Sequence, residues 1–445
     1  MQDSRIVIAG GGFAGLYAAL ELEKLFKRDD RMSITLLNDE NFFLFTPMLP
    51  ETAAGSIGTR HIVSPLRKLL RRTRFAEVGI EHIDLASQLV SARHSLTGAA
   101  REFAYDRLVL ALGGVTNYFN IAGAAEHSIP FKTLGDAIYV RNHTIDRLEE
   151  AAVEPEHANE LLTFAIVGGG LTGVEVSGAL NDFVREAAKY YPEIKREQIR
   201  MMLIEAGPRL MPEMKEDLAG FAERVLNDRG VEVRTRTAVT KVEEGVFELS
   251  TGERIATGTL IWSAGVVPNP LIAELDVPKE RGRVRVNDYL EVEAAPNVWA
   301  VGDTAYILDN ETGKPHPPTA QHAVREGKRV GRNIAATLGI GTRLPFRYRT
   351  MGQLAIVGER TGVADLMGYQ FSGFTAWFLW RTYYLMRVPL LEKRLRVMMD
   401  WTLDLFFKRD IVQLAVSRER RLVSGSTGVT RTTKEMDPGR SRRRR

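Results

Sequence analysis

No cysteine occurs anywhere in the 445 residues. That absence removes a CxxC redox pair, a cysteine nucleophile, a thiolate zinc site and any iron–sulfur cluster held by protein thiolates. It also leaves no sign of a disulfide framework, so a cytoplasmic setting is the expectation. Long apolar runs are missing too. No stretch of 18 or more residues is apolar enough to span a bilayer, and Leu108 to Ala125, though uncharged, is interrupted by Gly113, Gly114, Asn117 and Asn120. Gln2, Asp3 and Ser4 lead straight into Ile6-Val7-Ile8-Ala9, which glycines end at once, so no secretory signal is expected. The net charge of +4 is unevenly placed: residues 417–445 hold ten basic against three acidic residues, which leaves the rest of the chain near −3. The basic balance therefore belongs to the tail and says little about the folded body.

What is present is one pattern used twice. A short apolar run meets a glycine cluster, then a helical stretch, then a second apolar run ending in a polar residue. The copies begin at Arg5 and Leu162, and each reads as a βαβ unit. The length predicts two or three domains, and the wide spacing of the copies points to a duplicated domain. The segment from Tyr105 to Gly114 reads as a strand ending in a glycine turn. Thr259 to Val266 repeats that form, and Val298 to Asp303 makes a further strand with a Gly-Asp end. Gln321 to Leu338 is predicted helical, Arg347 to Val363 as short strands, and Phe371 to Val416 as an aromatic-rich helical region. The composition of 417–445, rich in Ser, Thr, Gly and Arg, predicts no packed structure.

The glycine clusters carry the chemistry. Gly10-Gly11-Gly12-Phe13-Ala14-Gly15 fits GxGxxG after a strand. Gly10 permits the tight turn, Gly12 lets the main chain approach a pyrophosphate, and Gly15 lets helix and strand close, so that the helix N-terminus meets the anion. The following strand ends at Asn38, where an acid is usual for holding ribose hydroxyls. Gly168-Gly169-Gly170-Leu171-Thr172-Gly173 is the second match, and its following strand ends at Glu205. An acid there binds the ribose diol of NAD and repels the 2′-phosphate of NADP. Tyr190-Tyr191-Pro192 interrupts the second helix and lengthens that unit. Two such folds in one chain imply a relay, in which hydride passes from a nicotinamide to a flavin and electrons then go to a third party.

Five separated motifs fall in an order that resembles the type II NADH dehydrogenases, single-subunit NADH:quinone oxidoreductases of the two-dinucleotide flavoprotein superfamily. They are Phe45-Thr46-Pro47-Met48-Leu49-Pro50 with Ala53-Ala54-Gly55, Gly173-Val174-Glu175, Gly302-Asp303, Ala320-Gln321-His322-Ala323 with Glu326-Gly327, and the aromatic C-terminal region. The resemblance runs from about Ile6 to Val416. It implies non-covalent FAD, reduced by NADH and reoxidised by a membrane quinone, with no proton pumped by the enzyme itself. Disulfide reductases, thioredoxin reductases and sulfide:quinone reductases need redox cysteines, which this chain lacks.

The resemblance also assigns residues. FAD is expected at Gly10, Gly12, Phe13, Ala14, Gly15, Asn38, Thr46, Ala111, Gly113, Gly302, Asp303, Ala320 and Gln321, with Asp303 accepting a ribityl hydroxyl. NAD(H) is expected at Gly168, Gly170, Gly173, Glu175, Glu205 and Gly265. Gln321 resembles the glutamine beside the flavin ring and the quinone headgroup, with His322 and Arg325 as neighbours. The family often has a second glutamine where this chain has Arg325. Glu175 is open to two readings, an acid favoured at a helix N-terminus or a catalytic group near the nicotinamide and the quinone route. His322 is a packing residue or a polar neighbour of that route. No metal is expected.

The C-terminal region holds Trp377, Trp380 and Trp401, three of the five tryptophans, with Tyr383, Tyr384, Phe406 and Phe407. On a helix from Leu391, the residues Leu395, Met398 and Leu405 share a face, and Lys393, Arg396, Asp400 and Asp404 lie roughly opposite. That predicts an amphipathic helix with tryptophans at a headgroup boundary. The fold expected is α/β, two Rossmann-like domains plus an amphipathic helical membrane-binding region. Its divisions are an FAD-binding domain over 1–115 and 286–345, an NAD(H)-binding domain over 116–285, C-terminal strands and anchoring helices over 346–416, and the basic tail over 417–445. The protein is then peripheral (monotopic) on the cytoplasmic face of the cell membrane. A homodimer is open, and no nucleic-acid fold signature is found. Two other readings stand beside this one: a soluble reductase of a ferredoxin-like protein, and a non-enzymatic NADH-sensing flavoprotein.

Overall fold

The apolar run that meets the first glycine cluster is a strand, Ser4–Ala9. In the computed structural model, which describes residues 4–27, 29, 32–309 and 311–413, it has parallel neighbours on both sides, Met32–Asn38 and Arg107–Leu110. They lie in a seven-stranded sheet, ordered Val298–Ala300, Arg107–Leu110, Ser4–Ala9, Met32–Asn38, Arg74–Asp84, Leu89–His94, Ala100–Ala104. The first five are parallel and the last two fold back antiparallel. The inner strands are apolar almost throughout because both faces are covered, and Ile6, Ile8, Leu36, Leu108 and Val109 have no exposed surface.

The second copy builds a smaller, all-parallel sheet in the order Ile129–Pro130, Thr259–Trp262, Thr163–Val167, Arg200–Ile204, Val231–Arg234. The two units repeat at atomic detail. Gly10 N–H donates to Leu37 O at 2.9 Å and Gly168 N–H to Ile204 O at 2.8 Å. Each glycine turn is thus tied to the end of the following strand. Strand Val298–Ala300 completes the first sheet only after the chain has built the second.

The predicted helix near Gln321 runs over Ala320–Thr337 and packs along the first dinucleotide helix, Phe13–Leu25. Small residues allow the approach: a Cβ on Gly327 would stand 2.2 Å from Ala14 O.

The C-terminal strands form an antiparallel sheet of Gly352–Gly358, Thr361–Leu366 and Tyr369–Ser372. The aromatic-rich helical region holds two helices, Gly373–Arg387 and Leu391–Leu403. Pro389 stands between them, and proline cannot continue a helix past its own missing N–H. Helix ends at Leu403, so Asp404 and Leu405 lie beyond it, and 414–445, including the basic tail, lies outside the described residues. Among the described residues no helix is long and apolar enough to cross a membrane.

The C-terminal sheet is fastened to the second dinucleotide helix, Leu171–Ala187. Asp182 carries much of that joint. Arg229 donates to its carboxylate at 2.8 Å, Glu359 N–H donates to it at 2.6 Å, and Arg229 Nη2 donates on to Glu359 O. The contact is closest at Gly178, where a Cβ would lie 2.6 Å from the backbone of Val357. Gly178→Val is therefore expected to destabilise the fold by about 3 kcal/mol or more through backbone displacement. Thermal unfolding checks it, and a variant that melts with the parent rejects this close packing.

Candidate functional site

The two glycine loops have the same wiring. At each loop the third glycine of the pattern sits where helix crosses strand: a Cβ on Gly15 would lie 1.9 Å from Gly10 O, and one on Gly173 1.7 Å from Gly168 O. Side chains are excluded there by contact, so the helix starts hard against the turn. Gly12 and Gly170 are the opposite case. Each is the N-cap of its helix with no side-chain cap, and nothing lies within 4 Å of where its Cβ would be. The first helix N-terminus thus presents backbone N–H groups to open space, and the second does so beside a long contact of 3.4 Å from Leu171 N–H to Glu213 Oε1; both fit a pyrophosphate held by the main chain.

Asn38 and Glu205 occupy equivalent places. Gly11 N–H donates to Asn38 Oδ1 at 2.8 Å and Gly169 N–H to Glu205 Oε2 at 2.6 Å. Glu205 Oε1 also accepts from Gly207 N–H at 2.5 Å. These side chains hold their loops. That accounts for the tolerance of Asn at the first site, since an amide oxygen serves the backbone bond as well as a carboxylate does.

Several expected FAD residues converge on the first loop. A Cβ on Gly302 would lie 3.5 Å from Ala14 Cβ and 3.9 Å from Ala323 Cβ, so Gly10–Gly15, Gly302–Asp303 and Ala320–Ala323 meet. Ala111 joins them, its N–H donating to Ala9 O at 2.9 Å, with Gly113 just beyond. Phe13 packs against Phe43 at 4.8 Å between ring centroids and against Phe45. Thr46 is exposed at the start of the turn Thr46–Met48. Gly265 stands at the second unit, its Cβ position 3.2 Å from the Phe119 ring.

Three groups here escape a reading of glycine patterns. Lys132 Nζ lies 3.7 Å from Asp303 Oδ2. Glu326, 3 % exposed, accepts from Gly302 N–H at 2.7 Å and so sets the Gly-Asp turn. Burial pushes its carboxyl up to about 7, aided by the nearby Asp303. Glu51 is the third, and its signal was its place in the quoted Pro50 segment, where a charged residue follows an apolar run.

Glu175 lies past the first turn of the second dinucleotide helix, a turn that holds no acid, and its carboxyl turns to the C-terminal region. Oε1 accepts from Ile356 N–H at 3.2 Å and from Trp380 Nε1–H at 3.1 Å. Burial pushes this carboxyl up to about 8; the two hydrogen bonds pull it down, and the neighbouring Glu51 charge adds to the rise. Glu51 is held by Trp401 Nε1–H at 3.2 Å and Arg381 at 3.3 Å. Arg381 in turn lies over the rings of Trp377 and Trp401, 4.1 and 4.6 Å from their centroids. Burial raises the Glu51 carboxyl against the pull of Arg381.

This cluster corrects the expectation of interfacial tryptophans. Trp377, Trp380 and Trp401 are only 8 %, 1 % and 6 % exposed. The indole N–H groups of Trp380 and Trp401 find acceptors in Glu175 and Glu51, and the Trp377 and Trp401 rings flank the Arg381 guanidinium. The apolar side chains left outside are Leu, Met and Phe.

Gln321 is placed by its neighbours: Nε2 donates to Gly352 O at 3.1 Å, and Oε1 accepts from Tyr348 OH at 2.9 Å. One amide hydrogen remains uncommitted by these bonds. Arg325 donates to Gln321 O at 2.8 Å and lies 4.1 Å over the Tyr348 ring. His322 is 1 % exposed, with Nδ1 2.7 Å from Thr319 Oγ1 and Nε2 3.3 Å from Thr350 Oγ1. Burial, with His316 and Arg325 nearby, pushes it down to about 4, so it is neutral near pH 7. Its two ring nitrogens face inward, as a packing histidine's do.

The family model described as pyridine nucleotide-disulphide oxidoreductase matches residues 4–327, and the model of the NDH2 C-terminal domain matches residues 351–410. The chain is 33% identical over 423 residues to a type II NADH:quinone oxidoreductase of Mycobacterium tuberculosis, covering 91% of this chain and 89% of that one. It is 31% identical over 421 residues to a probable NADH dehydrogenase of Dictyostelium discoideum, covering 92% and 91%. The structure of NDH2 from Plasmodium falciparum in complex with NADH superposes with a TM-score of 0.86 at 22% identity, covering 92% of this chain and all of that one.

The Glu175 carboxyl has a consequence for stability. Below about 8 it holds a proton in the folded protein, whereas the unfolded chain releases it in the ordinary carboxylate range. Between those values the folded state binds the extra proton, so stability falls as pH rises through that window and levels off above about 8. Glu175→Gln is expected to remove this slope. Denaturant unfolding of parent and variant from acid to mildly alkaline pH checks it; a stability difference that stays flat with pH rejects the raised carboxyl.

Proposed function

The chain belongs to the type II NADH:quinone oxidoreductase family, and from that premise we propose that it oxidises NADH and reduces a membrane quinone, without itself moving protons across the membrane. FAD, when bound, accepts hydride from the nicotinamide and yields two electrons to the quinone. The observation that carries this reading is the pair of bare-backbone glycine cradles in a chain with no cysteine. Both dinucleotides can be held, and no protein thiol can take the electrons onward.

The chain's own residues have separate tasks. The helix starting at Phe13 presents its N-terminal N–H groups and positive dipole end to the FAD pyrophosphate. Asp303, steadied by Lys132 and by the Glu326-bound turn, accepts from a ribityl hydroxyl. Asn38 and Glu205 hold their loops and face the two riboses. Glu205 adds a negative charge that excludes a 2′-phosphate. Gln321, oriented by Tyr348 and Gly352, offers its remaining amide hydrogen to a quinone oxygen, while Arg325 stiffens the same turn. His322 supports that turn from inside. Glu175, with a carboxyl raised to about 8, can hold or release a proton near physiological pH.

The domains divide near residues 115, 285 and 345 on this reading. The enzyme associates peripherally with a membrane, on the cytoplasmic face, through the outer side of Leu391–Leu403. That side exposes Leu395 and Met398, which suits a lipid-soluble acceptor better than a soluble electron carrier.

Steady-state NADH oxidation with a panel of quinones and ferredoxin-type acceptors tests the whole reading. Rapid turnover with quinones is expected, and turnover only with the protein acceptors rejects it. Gln321→Ala should slow reoxidation by quinone about tenfold while leaving flavin bleaching by NADH near the parent rate. Stopped-flow traces showing equal loss in both half-reactions would remove the assigned role. Glu205→Arg should raise the preference for NADPH over NADH at least tenfold, roughly the value of a paired against a repelled charge. It should also cost about 1–3 kcal/mol of stability by freeing the Gly169 and Gly207 N–H groups. Unchanged nucleotide selectivity contradicts the ribose-facing placement.

A further inference from the structure

Arg60, Arg67, Lys68, Arg71, Arg72 and Arg74 fall within fifteen residues of the first dinucleotide unit, and no acid separates them. All six are exposed. This basic stretch is where the Leu391–Leu403 helix docks. Lys68 Nζ lies 3.1 Å from Glu392 Oε1, and Lys393 Nζ donates to Arg60 O at 2.6 Å. Asp400 accepts from Gly58 N–H at 3.0 Å and from the His61 ring. Lys393 and Arg396 add two cations beside Arg60 and Lys68, with the Glu392 carboxylate among them, and Glu23 accepts from the backbone N–H groups of Arg71 and Arg72.

The other side of that helix is apolar. Val397 and Trp401 face the protein and are buried, while Leu391, Leu395, Met398, Met399 and Leu403 are between 46% and 68% exposed. The helix that carries this row of uncovered apolar side chains thus meets a basic stretch from a different part of the chain, touching it at Arg60 and Lys68. A nucleic acid or a soluble acidic protein would use the cations and leave the apolar row in water. A bilayer with anionic headgroups satisfies both at once, with apolar side chains in the acyl boundary and guanidinium and ammonium groups at the phosphates.

We propose that the membrane footprint extends beyond the C-terminal helices into the first dinucleotide unit, where residues 60–74 select anionic phospholipid headgroups. This rests on the reading of a membrane quinone as acceptor. Two consequences follow. The lipid preference lies in the flavin-binding part of the fold, and the band fixes which way that part is turned toward the bilayer.

The test is flotation of the full-length flavoprotein with vesicles of phosphatidylcholine alone or with phosphatidylglycerol added. The parent should prefer the anionic vesicles, and salt should weaken that preference. Replacing Arg60→Gln, Lys68→Gln and Arg71→Gln together should lower the partition into anionic vesicles at least tenfold, given roughly fivefold per surface charge. Binding to neutral vesicles, and NADH oxidation with a water-soluble quinone, should stay at parent levels. Leu395→Asp with Met398→Asp should weaken binding to both vesicles. A triple variant that keeps the parent's anionic preference overturns the proposal, because the attraction then lies elsewhere, as in the C-terminal arginines. Equal parental binding to both vesicles overturns it too. Binding to neither vesicle removes the membrane reading along with it, whereas intact anionic binding without quinone reduction strikes only the acceptor.

Discussion

An anion as large as a pyrophosphate can be held by backbone N–H groups only if no side chain stands in the way, and the molecule is organised around meeting that condition twice. At Gly15 and Gly173 the helix is pressed onto the turn so closely that a single carbon would collide with a carbonyl oxygen. At Gly12 and Gly170 the same turn opens to solvent. Contact on one side and vacancy on the other aim both helix N-termini outward. The order of each sheet follows, because the strand before the turn must be flanked by the strand that ends at Asn38 or Glu205. The late return of Val298–Ala300 then brings the Gly302 turn to the first cradle.

The C-terminal region depends on a second constraint, the burial of two carboxyl groups. Glu51 and Glu175 come from different helices and are both removed from water. Indole N–H groups and the Arg381 guanidinium satisfy them, and all of these donors arrive from the last two helices. Leaving a buried carboxylate without such partners is strongly destabilising. The C-terminal helices are therefore docked by chemistry and not only by apolar contact. The same docking leaves a side of Leu391–Leu403 uncovered.

Much of the fold was legible because its signals are local. The strand–glycine–helix pattern reads directly from Ile6-Val7-Ile8-Ala9 and its partner near Phe164, and the helix expected over Gln321 to Leu338 forms over Ala320–Thr337. The expected FAD residues at Gly10–Gly15, Gly302–Asp303 and Ala320 do come together. The tryptophans were misread, because an amphipathic pattern tells which residues are alike and not which side the rest of the protein will cover.

By itself the sequence determined the duplication, the two backbone cradles, the absence of any thiol relay and the acid at Glu205, all of which depend on residue types at short spacing. Only the tertiary structure decided where Glu175 looks, what holds Gln321, and that Trp380 and Trp401 face inward. It alone set the basic band at 60–74 beside the helix at 391–403. Those outcomes are pairings between segments from 27 to 350 residues apart, settled by which polar groups find partners when the units pack, and no local pattern carries that information.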